Sequence, residues 1–324
     1  MKFKKEYLIL AGVIVALSLY LFLHRTDRTH YELPVVSGIS GADITRLEID
    51  GPDATITLTR KDNRWTIDPY GYAADSSKVD RMIDAVGKLT LTALVSEAGS
   101  FSRYDLAPDT RIAVKAWTGS SVAREFDIGK TAGTHQHTFV KLPDTKNVYH
   151  ARGNFHGDFD QSVDDLRDKK VLTFAQADIR KIRIIRGGET MEFIRKDIPT
   201  EPAASDTGKE EPDASTAEPV KKTRWETGGG QAANEAAVNA LLASLSNLKC
   251  NGYISDQPGK DGADPFMTLI FESDREHTLS IFEKTATDDT AHPAVSSQSD
   301  EPFTLTSYKV DDVKKQVDEL AAAD

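Results

Sequence analysis

Apolar positions along this chain fall into three kinds of run. Tyr7 to Leu23 (YLILAGVIVALSLYLFL) is seventeen residues without a charge, which as a helix spans roughly 25 Å, the short end of a membrane crossing. Further on, apolar and polar residues alternate: Leu47, Ile49, Ile56 and Leu58 lie either side of Gly51-Pro52-Asp53, the signature of a β-hairpin. Then Val79, Met82, Ile83, Val86 and Leu89 recur at i, i+3, i+4 and i+7 behind Asp75, which predicts an amphipathic helix with an aspartate N-cap.

The last two patterns occur twice. At a constant offset of 135 residues, Ala42-Asp43-Ile44 returns as Ala177-Asp178-Ile179 and Arg60-Lys61-Asp62 as Arg195-Lys196-Asp197. Ile182, Ile184, Met191 and Phe193 then face Leu47, Ile49, Ile56 and Leu58, with Gly187-Gly188 as the turn. Arg64-Trp65 matches Arg224-Trp225. At offset 159 Asn234 stands for Asp75, ahead of Val238, Leu241, Leu242, Leu245 and Leu248. Strands are expected over Ile112–Trp117, Phe126–Ile128, Thr268–Phe271 and Leu279–Phe282, with closing helices near Phe155–Leu166 and Tyr308–Leu320. Self-similarity at one period predicts one supersecondary unit used twice, here an α+β unit of hairpin, helix, antiparallel strands and helix.

Ile198 to Thr223 holds four prolines and no aromatic residue, a composition that builds no core. Arg60 and Trp65 are five residues apart but Arg195 and Trp225 thirty, so this segment is an insertion at a hairpin tip rather than a domain linker. The expected organisation is a cytoplasmic tip (1–6), a transmembrane anchor (7–23), a juxtamembrane linker (24–41), a first α+β repeat (42–174) and a second (175–324) carrying a disordered insertion (198–223). Lys2, Lys4 and Lys5 precede the apolar run, as in a signal peptide, but the run is long and exits through bulky Leu21-Phe22-Leu23 rather than an A-x-A site, which favours an uncleaved anchor. The expected location is the cytoplasmic membrane, single-pass, with the body in the periplasm or outside.

Composition narrows the functions. Forty Lys+Arg against 51 Asp+Glu give a net charge of −11 in 324 residues, and the pI is about 5.3, so a phosphate backbone is repelled and no nucleic acid is expected as partner. The single cysteine, Cys250, excludes an internal disulfide, a Cys-based zinc site and a CxxC centre.

Candidate chemistry is sparse. Gly129-Lys130-Thr131 resembles the end of a phosphate loop, but Arg124 stands where GxxxxGK requires glycine, so a hairpin turn is expected. His135 and His137 would share a strand face, with His150 or His156 in reach; two histidines fall short of the three or four ligands zinc takes, and polar strand residues are the favoured reading. Asp158, Asp160, Asp164 and Asp165 lack the spacing of a calcium loop and read as a solvated helix face. No GxSxG, Cys–His pairing or HExxH is present. No catalytic residue, metal or cofactor is therefore expected. The two copies act as each other's control: after Trp65 the first carries Asp68-Pro69-Tyr70-Gly71-Tyr72 where the second carries Gly228-Gly229-Gly230-Gln231. Tyr70 and Tyr72 are thus not demanded by the fold and mark a candidate partner or ligand surface, against the plainer reading that they pack on their own unit.

Arg64-Trp65, Ala73-Asp75, Tyr104-Asp105-Leu106-Ala107-Pro108, Phe126-Asp127-Ile128-Gly129, Val148-Tyr149 and Leu166-Arg167-Asp168-Lys169-Lys170 together resemble the bacterial domain of unknown function 4340 family, over about residues 42–175. The family pattern commonly has glycine where Asp105 stands. The resemblance implies a membrane-anchored protein encoded beside gliding-motility-type ABC transporter subunits, and supplies no catalytic residues. Two functions follow as expectations: a non-catalytic extracytoplasmic accessory or scaffold subunit of an envelope complex such as an ABC transporter, or an anchored binding module for glycan or another envelope ligand. A hydrolase is the third and least supported.

Overall fold

A computed structural model describes residues 12–20, 31–198, 222–255, 258, 264–284 and 290–322. The chain divides into two compact units, Met1–Leu166 and Arg167–Asp324.

The first unit is built from β1 (Arg46–Asp50), β2 (Thr55–Lys61), β3 (Arg64–Asp68), β4 (Tyr72–Ala73), helix α1 (Ser76–Gly87), β5 (Leu91–Ser96), β6 (Ile112–Thr118), β7 (Ser121–Thr131), β8 (His137–Lys141), β9 (Val148–Arg152) and the single turns α2 (His156–Phe159) and α3 (Val163–Leu166). Its nine strands form one antiparallel sheet in the order β4-β3-β2-β1-β6-β7-β8-β9-β5. Alternation decides which face is inside: Leu47 and Ile49 are buried, opposite Leu58 and Ile56 on one side and Ala116 and Val114 on the other. Helix α1 lays Val79, Met82, Ile83 and Val86 into this core, and the Asp75 carboxylate accepts hydrogen bonds from the Ser77 and Lys78 amides at its start.

The second unit has β10 (Lys170–Thr173), β11 (Lys181–Arg186), β12 (Glu189–Ile198), β13 (Lys222–Thr227), helix α4 (Glu235–Leu245), β14 (Asn247–Lys249), β15 (Gly252–Tyr253), β16 (Met267–Glu272), β17 (Glu276–Ile281), β18 (Ala291–Ser296), β19 (Phe303–Thr306) and helix α5 (Ser307–Ala321). Its large sheet runs β13-β12-β11-β16-β17-β18-β19-β15, and β10 pairs with β14. Remove the two-residue β4 from the first sheet and the two orders coincide strand for strand. The agreement extends to single hydrogen bonds. Ala74 N donates to Trp65 O and Ala233 N to Trp225 O, both at 2.9 Å. Arg195 pairs across the hairpin with Trp225 as Arg60 pairs with Trp65, so the insertion leaves the hairpin ladder in register. Residues 199–221 of that insertion lie outside the described residues.

The expected fold class is corrected in three respects. The described residues are 41% strand and 25% helix; the protein is mostly antiparallel sheet rather than a balanced α+β. The closing helix expected near Phe155–Leu166 is two single turns, because the chain breaks at Asp160-Gln161-Ser162, where the Asp165 carboxylate accepts from the amide and hydroxyl of Ser162. Finally, the transmembrane helix is not present among the described residues. Residues 12–20 are helical, a length of roughly 13 Å against a hydrocarbon core of about 30 Å, and no described helix is long and apolar enough to cross a membrane. The ends of the run, 7–11 and 21–23, lie outside the described residues.

The described part of the expected linker packs on the first unit. Leu33, Val36 and Ile39 rest on its core, and Ile39 N donates to Gly87 O, as Phe174 N donates to Ser246 O in the second unit. The buried guanidinium of Arg124 donates to Ser37 O and Val86 O, joining this segment to the end of α1.

Candidate functional site

In each unit a groove lies between the 3₁₀ turn that precedes the first strand, the tip of the first hairpin and the exposed side of the helix. In the first unit it is lined by Gly41, Ala42, Arg60, Asn63, Trp65, Ser76, Asp80, Arg81, Ile83 and Asp84 and encloses about 570 Å³. Arg60 braces it: its guanidinium donates to Ala42 O at 3.0 Å and to Asn63 Oδ1 at 2.8 Å. Asn63 and Asp62 both sit at positive φ, which the tight β2–β3 turn requires. Ser76, Asp80 and Ile83/Asp84 fall on one side of α1 because they are spaced by about a helical turn. Arg81 is held by Asp158 at 2.8 Å and Asp84 by Lys88 at 2.9 Å.

The second unit repeats the groove from Gln176, Ala177, Arg195, Thr223, Trp225, Glu235, Asn239 and Leu242, in about 250 Å³. Ala177, Arg195, Trp225 and Leu242 correspond to Ala42, Arg60, Trp65 and Ile83. Arg195 donates to Ala177 O at 2.7 Å just as Arg60 does to Ala42 O. That arginine and its tryptophan are therefore part of the architecture. The differences lie at the hairpin tip, where Asn63 has no described counterpart, and along the helix and turn: Ser76, Asp80, Arg81 and Asp84 stand where the second unit has Glu235, Asn239, Ala240 and Ala243, and Gly41 where it has Gln176, whose amide reaches Ser246 Oγ at 3.1 Å.

A second polar site occupies the solvent-side face of the first sheet. Asp127 is 7% exposed and lies between Arg111 (2.9 Å) and Lys141 (3.0 Å), beside a cavity of about 300 Å³ that also meets Glu48, Lys115, Glu125 and Asp144. At the equivalent position of β17 the second unit has Ser280, bonded to Thr268. Two of the stretches that carry the family resemblance meet here. A Cβ on Gly129 would fall 2.1 Å from Tyr104 O and 2.8 Å from Leu106 Cγ, so glycine is what lets the Tyr104–Pro108 loop lie on the sheet. Gly129-Lys130-Thr131 is the end of strand β7, not a hairpin turn. Asp105 adopts φ 55, left-handed, which explains why a glycine suits that position. The Leu166–Lys170 stretch has its own mechanical role: the Arg167 guanidinium lies 3.7 Å over the Tyr253 ring, whose hydroxyl donates to Asp168 O at 2.7 Å. Burial foremost, with Cys250 next, pushes the Tyr253 hydroxyl up to about 12.

The histidines do not assemble as expected. His135 is in a turn at φ 56 rather than on the strand, while His137 stacks on His150 with ring centroids 5.3 Å apart. His156 is engaged with Gly129 O at 2.9 Å. Burial, then the neighbouring His137, holds His150 below the usual imidazole range. Among the described residues no three His, Cys, Asp or Glu side chains converge to hold a metal. The acidic stretch is tied into the fold through Arg81–Asp158 and the Asp165 cap. Tyr70 and Tyr72 stack in parallel, 5.3 Å apart. Tyr72 packs against the core while Tyr70 is 61% exposed, so the pair divides into a supporting and a presented ring. The groove itself carries no motif, and sequence reasoning passed it over; its one signal was the Arg–Trp recurrence.

Fold and grooves together define a protein of two units with the same antiparallel strand order and a helix (α1, α4) after the first hairpin, the second unit adding α5. The chain belongs to the family described as Domain of unknown function (DUF4340), whose model matches residues 65–265. That span starts at Trp65 and continues through the second unit's hairpin and helix to just before β16, further than the 42–175 expected. No curated protein and no solved structure matches the chain.

Proposed function

We propose that this protein is a non-catalytic accessory or scaffold subunit of an envelope complex, with an ABC transporter subunit as its partner. The partner class comes from the family resemblance. The observation that carries the reading is the stacked pair Tyr70–Tyr72 at the β4 edge of the first sheet, where the second unit has glycines. A ring held flat by a second ring loses little side-chain entropy on binding, and tyrosine is among the residues that dominate interface energies. The buried carboxylate of Asp127 is held between two cations, Arg111 and Lys141, which supports a structural rather than a chemical role for that residue.

The test is site-specific photo-cross-linking from position 70 in the native cell, followed by mass spectrometry. A transporter subunit as the adduct supports the reading, and Tyr70→Ser should reduce its co-purification while leaving the melting temperature within about 1 °C. Adducts with glycan alone, or undiminished co-purification, would refute it.

A further inference from the structure

The first unit's groove has the features of a small-molecule site that its counterpart lacks. At about 570 Å³ it lies inside the range of roughly 300–1,000 Å³ typical of such sites, and at about 250 Å³ the second lies below it. The duplicated fold supplies the control. The brace of Arg60 on Ala42 O and the indole of Trp65 recur in the second unit and are structural, whereas Asp80, Arg81, Asp84 and the side-chain-free position Gly41 do not recur. The fold is complete with Asn239, Ala240, Ala243 and Gln176 in those places.

The lining specifies the ligand. Two guanidinium groups, Arg60 and Arg81, stand with two carboxylates, Asp80 and Asp84, so the fixed charges cancel. A phosphorylated or sulfated ligand would meet Asp80 and Asp84, and a polyamine would meet Arg60 and Arg81; each loses to like-charge repulsion. What fits is an uncharged molecule carrying both donors and acceptors at high density. Asp80, which no described side chain engages, accepts hydrogen bonds from hydroxyls; Asn63, whose Oδ1 already accepts from Arg60, donates through its amide; Ser76 does both; the spare guanidinium N–H groups donate. Trp65 and Ile83 line the floor but are only 8% and 7% exposed, so the polar rim rather than ring stacking would hold the ligand.

We infer that the groove of the first unit between α1 and the β2–β3 hairpin is a binding site for a neutral saccharide. The site is separate from the Tyr70 surface, and neither reading depends on the other.

Titration calorimetry of the full chain with maltotriose, cellotriose, xylotriose and chitotriose tests this, each offered free and fixed to beads by its reducing end. At least one binds with Kd below about 1 mM; retention on beads marks a polymer as the source, binding of the free form alone a soluble sugar. Asp80→Asn with Asp84→Ala, the residues at the corresponding positions of the second unit's helix, weakens binding at least tenfold, and Ser76→Glu, again the second unit's residue, does the same by adding an uncompensated charge. Asn239→Ala leaves it unchanged. The inference is overturned if no member of the panel binds below 1 mM, if binding survives both variants undiminished, or if spermidine or inorganic phosphate binds the groove more tightly than any sugar. Cross-linking through Tyr70 is unaffected by these substitutions, so failure of one reading leaves the other standing.

Discussion

Gly129→Ala tests how the family-bearing loop is held. The added methyl would sit 2.1 Å from the backbone oxygen of Tyr104, where ordinary contact begins at 3.4 Å, so the loop must lift by about 1.3 Å. A backbone atom cannot yield as a side-chain tip does. Overpacking of this kind costs about 1–3 kcal/mol. Lifting the loop also loosens Leu106, which is 2% exposed and contributes about 1.5–3 kcal/mol when fully buried, and parts the Tyr104 and Phe139 rings, now 4.8 Å apart. A loss of about 3 kcal/mol follows, or roughly 6–12 °C in a unit of this size. Gly133→Ala is the control, since its Cβ meets nothing within 4 Å. Calorimetry of the two variants, with amide exchange over residues 98–107, is the assay. Should Gly129→Ala melt within 1 °C of the unchanged protein, or Gly133→Ala fall with it, the docking account is wrong.

Four other outcomes are expected. Arg124→Met removes two charge-assisted hydrogen bonds to Ser37 O and Val86 O, each worth about 1.5–3 kcal/mol before the desolvation of the guanidinium is offset, and should lower the first unit's melting temperature and speed proteolysis near residues 31–40. His150, held low by burial and by His137, takes its proton more readily when unfolded; stability should therefore fall as pH drops below about 6.5 and level off below the folded value, and His150→Gln should flatten that slope in urea titrations. Tyr72→Ser should destabilise where Tyr70→Ser does not, because only Tyr72 packs on the core; equal melting shifts would dissolve the distinction. Replacing residues 199–221 by Asn-Gly should leave the melting temperature within about 2 °C, since Ile198 already pairs with Lys222 and shortening a loop costs little; a large fall would assign the insertion a structural role.

The duplication, the hairpins, the helix faces and both N-caps were legible in the sequence because each is written in local order: a period of two or 3.6, and a polar cap one residue ahead of it. The recurrence of Arg–Trp even located the insertion, since Arg195 and Trp225, thirty positions apart, remain cross-strand neighbours. Hydropathy alone misjudged the first apolar run, whose described helix covers only residues 12–20. It also joined α2 and α3 into one helix, because the Ser162–Asp165 cap that interrupts them competes through side-chain hydrogen bonds that carry no apolar signal.

What only the tertiary structure decided was which distant residues meet. Nothing local places Gly129 under Tyr104, Asp127 between Arg111 and Lys141, or His137 beside His150 rather than His135. Sheet register and loop docking set those distances, and both depend on contacts across tens of residues. The groove is the clearest case. Its residues come from a 3₁₀ turn, a hairpin tip and a helix, none conspicuous in sequence, and its shape is set by how closely the Gly41 turn packs on α1, where a Cβ on Gly41 would fall 2.7 Å from Ile83 Cγ2. A pattern of side chains along a chain determines which elements form and which faces they bury; the volume between elements is a property of their packing alone.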